Sequence, residues 1–320
     1  MPSVKALIAK LATSDLAMAW LPRVLLGSNG TIFTLHRFAA KEGEADALSA
    51  ARLDEAMSAL TNLGFRFVAL AEMIEKARRG NLAPRSIAWT VDDGYADFAE
   101  VAMPVFEGYK SPVAVFLVTG FIDGASWPWW DQVRYIIQES GSPPEHADDK
   151  IAALKRVSDE QKWAEIRTLS EHYSVHVPQV PPASYRPMSW DQVRACARRG
   201  ASFGPHTVNH PILPNVDDRQ AEQEIALSWS RLKEEVGAAA LPVLAYPNGD
   251  YGPREIELAK KTGLEAALTT RGGHVGREVV CDRPFELPRF DLRPEPIALR
   301  QIVSGLEAAK ARWRGRQRRG

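Results

Sequence analysis

Short apolar segments alternate with amphipathic helices along most of this 320-residue chain, and this alternation restricts the fold more than any other feature. Consecutive parallel strands need a crossover connection, which is usually a helix, so the pattern indicates an α/β fold with a parallel sheet or barrel. Hydrophobic spacing and Gly or Pro boundaries predict strands at 31–35, 65–70, 87–91, 113–118, 201–204, 242–246 and 266–269. The same criteria predict helices at 48–63, 71–79, 98–109, 190–199, 218–235 and 253–262.

The alternation is interrupted between about residues 122 and 187. This segment contains three polar helical stretches, a Pro-rich stretch and a cluster of Trp127, Trp129 and Trp130. We interpret it as a helical insertion, with predicted helices at 131–139, 149–157 and 159–173, rather than as a second domain. The domain organisation predicted is an N-terminal amphipathic helix in 1–30, a catalytic domain in 31–296 and a C-terminal helix with a basic tail in 297–320.

Composition excludes several classes of protein. Cys196 and Cys281 are the only cysteines, which argues against a disulfide scaffold or a Cys-based zinc site. No uncharged stretch reaches the roughly 18 residues of a membrane-spanning helix. Lys10 and Asp15 interrupt the apolar part of the N-terminus, so we expect no signal peptide and a cytoplasmic location.

The formal net charge is zero, with 40 basic and 40 acidic residues, but the balance is uneven. Residues 310–320 hold six bases and no acid, so the rest of the chain has an excess of acid. An acidic body argues against nucleic acid as a partner. The tail is expected to be a solvated chain end or a peripheral contact with a membrane, and the oligomeric state is left open.

The first candidate for chemistry is the pair Asp92 and Asp93, which follows a predicted strand and precedes Gly94. Adjacent side chains of a strand point to opposite faces, so the two carboxylates can share a site only where the strand ends and turns. A cation between them would relieve their mutual repulsion, with one acid on a metal and the other accepting a proton. The alternative is a pair of helix N-caps.

The second candidate is His206 and His210, in His-Thr-Val-Asn-His between Pro205 and Pro211. Two imidazoles on one turn can reach a single ion at Zn–N distances of about 2.0–2.1 Å. His172 and His176 have the same spacing, but they lie at a predicted helix end in the insertion, with no carboxylate at a strand end nearby.

The third candidate is Ala245-Tyr246-Pro247-Asn248-Gly249, where another predicted strand becomes a loop. A turn that contains Pro and Gly can direct backbone N–H groups toward a developing oxyanion, although an ordinary β-to-α turn would look the same. The chain has no Gly-x-Ser-x-Gly elbow, phosphate-binding loop or His-Glu-x-x-His helix.

Together, Thr-Val-Asp-Asp-Gly, His-Thr-Val-Asn-His and Ala-Tyr-Pro-Asn-Gly resemble the motifs of the polysaccharide deacetylase family (NodB homology, carbohydrate esterase family 4). Met-Ser-Trp-Asp-Gln-Val-Arg at 188–194 and Leu-Pro-Arg at 287–289 extend the resemblance, which covers about residues 31–292. The resemblance implies a distorted (β/α)7-type barrel. It also implies a metal-dependent hydrolase that removes N-acetyl groups from an amino-sugar polysaccharide or a lipid-linked glycan.

Roles for individual residues follow from the resemblance. Asp93, His206 and His210 would ligate one divalent metal, with zinc expected and cobalt, nickel or manganese as alternatives. Asp92 would be the general base, and the backbone N–H of Tyr246 would meet the oxyanion together with the metal.

Two positions depart from the family pattern. Ala245 or Tyr246 stands where the family has an Arg that orients the catalytic carboxylate, and Arg289 is the candidate replacement. The usual C-terminal Leu-x-His motif, which holds the general acid, is absent. His36, in Thr-Leu-His at the end of the first strand, is the candidate acid, as in members that resemble a circular permutation, and His274 is the alternative.

Other functions remain open at this point. The same fold could hydrolyse O-acetyl esters or other amides, and the missing Arg allows a catalytically silent carbohydrate- or metal-binding module. The three tryptophans could stack on sugar rings or anchor the insertion.

Overall fold

A ring of parallel strands forms the centre of the computed structural model, which describes residues 14–41, 47–125 and 127–306. The strands, in chain order, are β1 (Thr31–Leu35), β2 (Phe38–Ala39), β3 (Leu48–Ser49), β4 (Arg66–Phe67), β5 (Ser86–Val91), β6 (Val113–Leu117), β7 (Ala201–Pro205), β8 (Val243–Ala245), β9 (Ala266–Leu268) and β10 (Phe290–Asp291). The helices are α1 (Asp15–Leu25), α2 (Ala50–Asn62), α3 (Leu70–Arg78), α4 (Met103–Gly108), α5 (Thr119–Ile122), α6 (Trp129–Glu139), α7 (Glu145–Leu154), α8 (Asp159–Tyr173), α9 (Trp190–Arg198), α10 (Asp218–Val236), α11 (Pro253–Lys261), α12 (Arg277–Asp282) and α13 (Pro296–Val303).

The strand order closes the ring. Parallel pairing joins β10, β1, β5, β6 and β7 in that order, and β8 pairs with β9. Single parallel bridges from Phe203 to Ala240 and from Leu268 to Leu287 connect the second sheet to the first on both sides. Seven strands therefore form a ring with helices outside, which confirms the distorted (β/α)7-type barrel.

The core explains why the central strands read as continuous apolar runs. Every residue of β1, β5 and β6 is buried, as expected for parallel strands covered on both faces. Phe33 and Trp89 stack with ring centroids 5.3 Å apart, and α2 buries Leu53, Met57 and Leu60 against the same cluster.

The segment predicted as an insertion has a core of its own. Helices α6, α7 and α8 bury residues such as Val133, Ile151 and Ile166 against each other, separately from the barrel core. Helix α7 runs from Glu145 to Leu154, whereas the pattern predicted 149–157. Pro143 and Pro144 directly precede α7, a place where a helix tolerates proline, so it begins earlier than its apolar residues suggest.

The structure describes part of both predicted terminal helices. Helix α1 begins after the N-cap Ser14, and α13 spans Pro296–Val303. The beginning of the predicted N-terminal helix and the basic tail at 310–320 lie outside the described residues. None of the helices in the described ranges combines the length and the apolar character needed to cross a lipid bilayer.

Candidate active site

The candidate residues gather at one end of the barrel because neighbouring strands are parallel. Asp92 follows β5, His206 follows β7 and Tyr246 follows β8. His36 follows β1, which pairs with β5. The carboxyl ends of these strands lie at the same end of the ring, where α/β folds place their ligand sites.

The side chains of Asp93, His206 and His210 meet at this end. The Nε2 atoms of the two histidines are 3.1 Å apart, and Asp93 Oδ1 lies 3.5 Å from His206 Nε2 and 3.8 Å from His210 Nε2. Ligand atoms at about 2.1 Å from a tetrahedral ion are roughly 3.4 Å apart. The three observed separations bracket that value, so the donor set fits a divalent metal, and it is the only such group in the described parts of the chain.

The protonation of these groups also suits a metal. Burial lowers the pKa of His206 to about 4 and that of His210 well below its ordinary value, so both rings are neutral near pH 7. His206 Nδ1 lies 2.7 Å from the Ala245 carbonyl oxygen, and donation to that oxygen leaves the Nε2 lone pair directed at the site. Burial and the neighbouring Asp92 carboxylate raise the pKa of Asp93. A bound cation would offset both effects and stabilise the ionised carboxylate.

The chain holds the ligand loop in an unusual backbone conformation. Asp93, Thr207 and His210 have φ values of 74°, 68° and 54°, in the left-handed region that non-Gly residues seldom adopt. Gly94 has φ 93°, and a Cβ there would lie 2.7 Å from Leu117 Cδ2. Such strain persists only where surrounding contacts fix the backbone.

Glu224 supplies those contacts from α10, a role that the sequence analysis missed. Its Oε2 accepts hydrogen bonds from the backbone N–H groups of Val208 and Asn209 at 2.8 Å each, and its Oε1 accepts one from Asn209 Nδ2 at 2.8 Å. Glu224 is buried, on the face of α10 that also buries Ala221, Ile225 and Ser228. An acidic residue in an otherwise apolar or small stripe was the available signal.

Arg289 contacts Asp92, as expected if it replaces the family Arg that orients the catalytic carboxylate. Its Nη1 and Nη2 donate to the two carboxylate oxygens of Asp92 at 2.8 Å each, and both side chains are buried. Arg289 Nε also donates to the Thr269 carbonyl oxygen. The guanidinium outweighs the effect of burial and holds the pKa of Asp92 well below its usual range.

The two candidate acids lie at opposite ends of β1. His36 Nε2 is 3.8 Å from Asp92 Oδ2, and its side chain is 49% exposed. His274 Nδ1 instead lies 3.1 Å from the hydroxyl of Thr31, the first residue of β1, and its ring packs on Phe290. His274 therefore lies at the other end of β1 from Asp92, and this placement favours His36 as the predicted acid.

The predicted oxyanion role of Tyr246 does not fit its geometry. The backbone N–H of Tyr246 donates to the Leu268 carbonyl oxygen at 3.2 Å, within the pairing of β8 and β9, so it is already committed. Its ring is buried and stacks on Tyr251. Asn248, two residues further, lines the same cavity, and its buried Nδ2 has no hydrogen-bond partner in the described part of the chain.

Two adjoining cavities open onto the candidate metal site. The smaller, of about 200 Å³, is lined by His36, Asp92, Asp93, Trp130, Arg134, Ile151, Lys155, His206, His210, Tyr246, Asn248 and Thr270. The larger, of about 600 Å³, lies between the barrel end and the insertion, and His36, Asp93, Trp130 and Arg134 line both.

The three tryptophans divide between the two predicted roles. Trp127 and Trp129 are buried and anchor the insertion. Trp130 reaches the cavities, and its ring centroid lies 4.5 Å from that of His210. Its Nε1 donates to the Tyr95 hydroxyl, which in turn donates to Asp131.

The rival features do not form comparable sites. His172 and His176 are exposed, and neither belongs to a group of three potential metal ligands within the described ranges. Asp217 caps α10 by accepting from the Gln220 N–H, whereas Asp92 and Asp93 cap no helix.

The model of the polysaccharide deacetylase family matches residues 79–267, more than half of the chain. A putative polysaccharide deacetylase YxkH of Bacillus subtilis is 28% identical over 88 residues, which is 28% of this chain and 31% of that protein. The match therefore spans about a third of the length of this curated relative.

Solved structures share the fold over most of the chain. A deacetylase PplD of Streptococcus pyogenes in complex with acetate superposes with a TM-score of 0.60 at 18% identity, covering 86% of this chain and 98% of that one. IcaB from Ammonifex degensii gives a TM-score of 0.60 at 18% identity, covering 87% and 97%. At this level of identity the likeness concerns the fold.

Proposed function

Because this chain belongs to the polysaccharide deacetylase family, hydrolases of carbon–nitrogen bonds, we propose that it removes N-acetyl groups from an amino-sugar glycan in a metal-dependent reaction. One observation carries the proposal: a three-residue metal-ligand group lies beside an ionised carboxylate at the bottom of a cavity. A solved relative in the same fold is described as a deacetylase in complex with acetate, the product expected here.

Asp93, His206 and His210 would hold the metal, and their two nitrogens and one oxygen suit zinc, cobalt, nickel or manganese. A divalent ion bound there would acidify a coordinated water and polarise the acetamide carbonyl. The Ala245 carbonyl fixes the ring of His206, and Glu224 fixes the loop that carries both histidines.

Asp92 would accept the proton of the attacking water. Arg289 keeps its carboxylate ionised and fixes both oxygens, so the acceptor is oriented before substrate arrives. Arg289 would thus take the place of the Arg of the third motif, which favours an active enzyme over a catalytically silent binding module.

His36 would deliver a proton to the leaving amine. It lies beside Asp92, lines both cavities and is half exposed, so it can reach a bound substrate and exchange its proton with solvent. In place of the Tyr246 backbone, the Asn248 side-chain amide would donate to the carbonyl oxygen as negative charge develops there.

Acetate release from N-acetylglucosamine oligomers by the zinc-loaded protein tests this function. We expect the Asp92→Asn variant to lose about 10²-fold or more in kcat, because proton acceptance is removed. Asp123→Asn, which alters an exposed carboxylate paired with Arg231, should behave as the parent. Equal acetate release by the parent and Asp92→Asn would overturn the assignment, and release only from O-acetylated glycans would favour an esterase.

A further inference from the structure

Helix α1 has an apolar face that is exposed to solvent. Leu16, Trp20 and Val24 are spaced by four residues, so they lie on one side of the helix, and their exposed fractions are 80%, 52% and 68%. Met18, on the opposite side, is buried in the barrel core. Apolar residues therefore lie on both sides of α1, although only one side packs against the protein.

Helix α13 extends this exposed surface. Arg300 Nη1 of α13 lies 2.6 Å from Asp15 Oδ1, which joins the two helices where α1 begins. Ile297 lies one turn before Arg300 and is 51% exposed. Of the six large apolar side chains that are exposed within the described ranges, four form this surface, which we call the α1 face: Leu16, Trp20, Val24 and Ile297. Clustered apolar exposure of this kind marks a contact with a partner or a lipid.

Positive charge predominates next to the α1 face. Asp15, the only acid of α1, is paired with α13, whereas Arg23 is exposed in the last turn. The described chain ends beside the same turn, since a Cβ on Gly305 would lie 2.9 Å from Leu25 Cβ. The six bases of residues 310–320, a segment without acid, begin five residues further on, which an extended chain spans in at most about 18 Å.

An apolar helix face beside a basic segment suits the interface of an anionic lipid bilayer. Apolar side chains of such a helix enter the boundary between headgroups and acyl chains, and electrostatic attraction to anionic lipids adds to the binding. Trp20 fits this boundary because its ring is apolar and its N–H is polar. A second copy of this chain would bring another basic segment to the same place, so charge repulsion disfavours a dimer through the α1 face.

We propose that the α1 face binds an anionic lipid surface and that residues 310–320 supply the electrostatic attraction. Arg85, which directly precedes β5, donates to the carbonyl oxygens of Met18 and Ala19, so α1 packs at the amino ends of the strands. The candidate catalytic residues follow the strands, at the other end of the barrel. A bilayer on the α1 face would therefore leave both cavities open to glycans on the side away from that bilayer.

Flotation of the full chain with lipid vesicles tests the proposal. The vesicles contain either phosphatidylcholine alone or phosphatidylcholine with phosphatidylglycerol, which is anionic. We expect the parent to partition about tenfold or more strongly onto the anionic vesicles, and high salt should remove the difference because it screens the charges. Neutralising the tail with Arg314→Gln/Arg316→Gln/Arg318→Gln should likewise remove most of the preference.

The apolar contribution is tested by Leu16→Ser/Val24→Ser, with Leu227→Ser/Val180→Ser as the matched control. The control removes the same two residue types from exposed positions outside the α1 face. We expect the first variant to lose about tenfold or more of its partitioning onto anionic vesicles and the control to bind as the parent. Equal binding by the two variants, or a parent that does not float with anionic vesicles, would overturn the proposal.

Two further measurements distinguish the remaining outcomes. Sedimentation equilibrium reports whether the parent self-associates. A dimer that Leu16→Ser/Val24→Ser dissociates, without vesicle binding, would assign the α1 face to a second copy and overturn the lipid proposal. Anionic vesicles should leave acetate release from soluble N-acetylglucosamine oligomers unchanged, and inhibition would refute the placement of the cavities away from the bilayer. Vesicle binding requires no turnover, so it decides this inference even if the proposed deacetylase function fails.

Discussion

Replacing Arg289 by Met should destabilise the protein far more than the loss of an ordinary ion pair. Arg289 and Asp92 are both almost fully buried and share two hydrogen bonds of 2.8 Å. Removal of one partner of a buried pair leaves an uncompensated charge and costs about 3–5 kcal/mol. The long stem of Met fills much of the vacated space, so most of the loss should be electrostatic.

A surface pair of the same chemistry provides the control. Arg186 Nη2 contacts both carboxylate oxygens of Glu100 at 2.6 and 2.8 Å, but both side chains are more than 40% exposed. Arg186→Met should lower the free energy of unfolding by no more than about 1 kcal/mol. Urea unfolding followed by tryptophan fluorescence measures both variants. Similar losses in the two would refute the argument that burial makes the Arg289 pair different.

The pH dependence gives a second readout. In the parent the folded-state pKa of Asp92 is lowered, so its contribution to stability is present above the unfolded pKa of about 3.9. Burial is the largest single influence on the pKa of Asp92, and without Arg289 only the smaller effects of His206 and His36 oppose it, so we expect the pKa to rise above that value and the ionised form to oppose folding. The deficit of Arg289→Met should therefore be largest near neutral pH and shrink as the pH falls toward 4. In the Arg289→Met variant, the pH below which kcat falls should also be higher than in the parent.

Three further variants test other parts of the site. Zinc content after dialysis should fall from about one ion per chain to near zero in His206→Ala, whereas the exposed His172→Ala should bind as the parent. Glu224→Gln weakens the bonds to the ligand loop and should lower zinc affinity about 10- to 100-fold, and Glu222→Gln on the exposed part of α10 should not. Burial raises the pKa of Asp131 to about 6, so its ionised form opposes folding at higher pH. Asp131→Asn should therefore raise the free energy of unfolding at pH 7.5 by about 1–3 kcal/mol, a gain that disappears near pH 4 in thermal scans.

Strand-end motifs made the barrel and the metal-ligand group predictable. Asp93 is far in sequence from the motif that holds His206 and His210, but both segments follow a buried parallel strand, and such strand ends meet at one edge. The contact between Arg289 and Asp92 was predicted from family resemblance together with a missing residue. Nothing local in the sequence indicates a contact across that distance.

The predicted oxyanion role of the Tyr246 N–H conflicts with its observed hydrogen bond for a specific reason. Whether a backbone N–H is free depends on the register of its partner strand. Ala245 of β8 pairs with Leu268 of β9, and the next N–H, that of Tyr246, donates to the Leu268 carbonyl oxygen. Register of such short strands is set by packing around the whole ring, which a single motif does not encode. The contact of Glu224 with the histidine loop depends in the same way on how α10 packs against that loop.

The sequence therefore predicts the candidate catalytic residues better than the residues that would select the substrate. The proposed catalytic groups follow the strands, because in the described parts of the chain the strand ends bring three potential ligands close enough to hold one ion. A substrate extending beyond that point meets α6 and α7, where Trp130 and Arg134 lie in a segment that contributes no motif. Helices of the insertion pack mainly on each other, so substitutions on their cavity face can change the bound group without disturbing the barrel. Substitutions on the cavity face of residues 129–155 should accordingly change which substrate is preferred, and they should leave the catalytic groups at the strand ends in place.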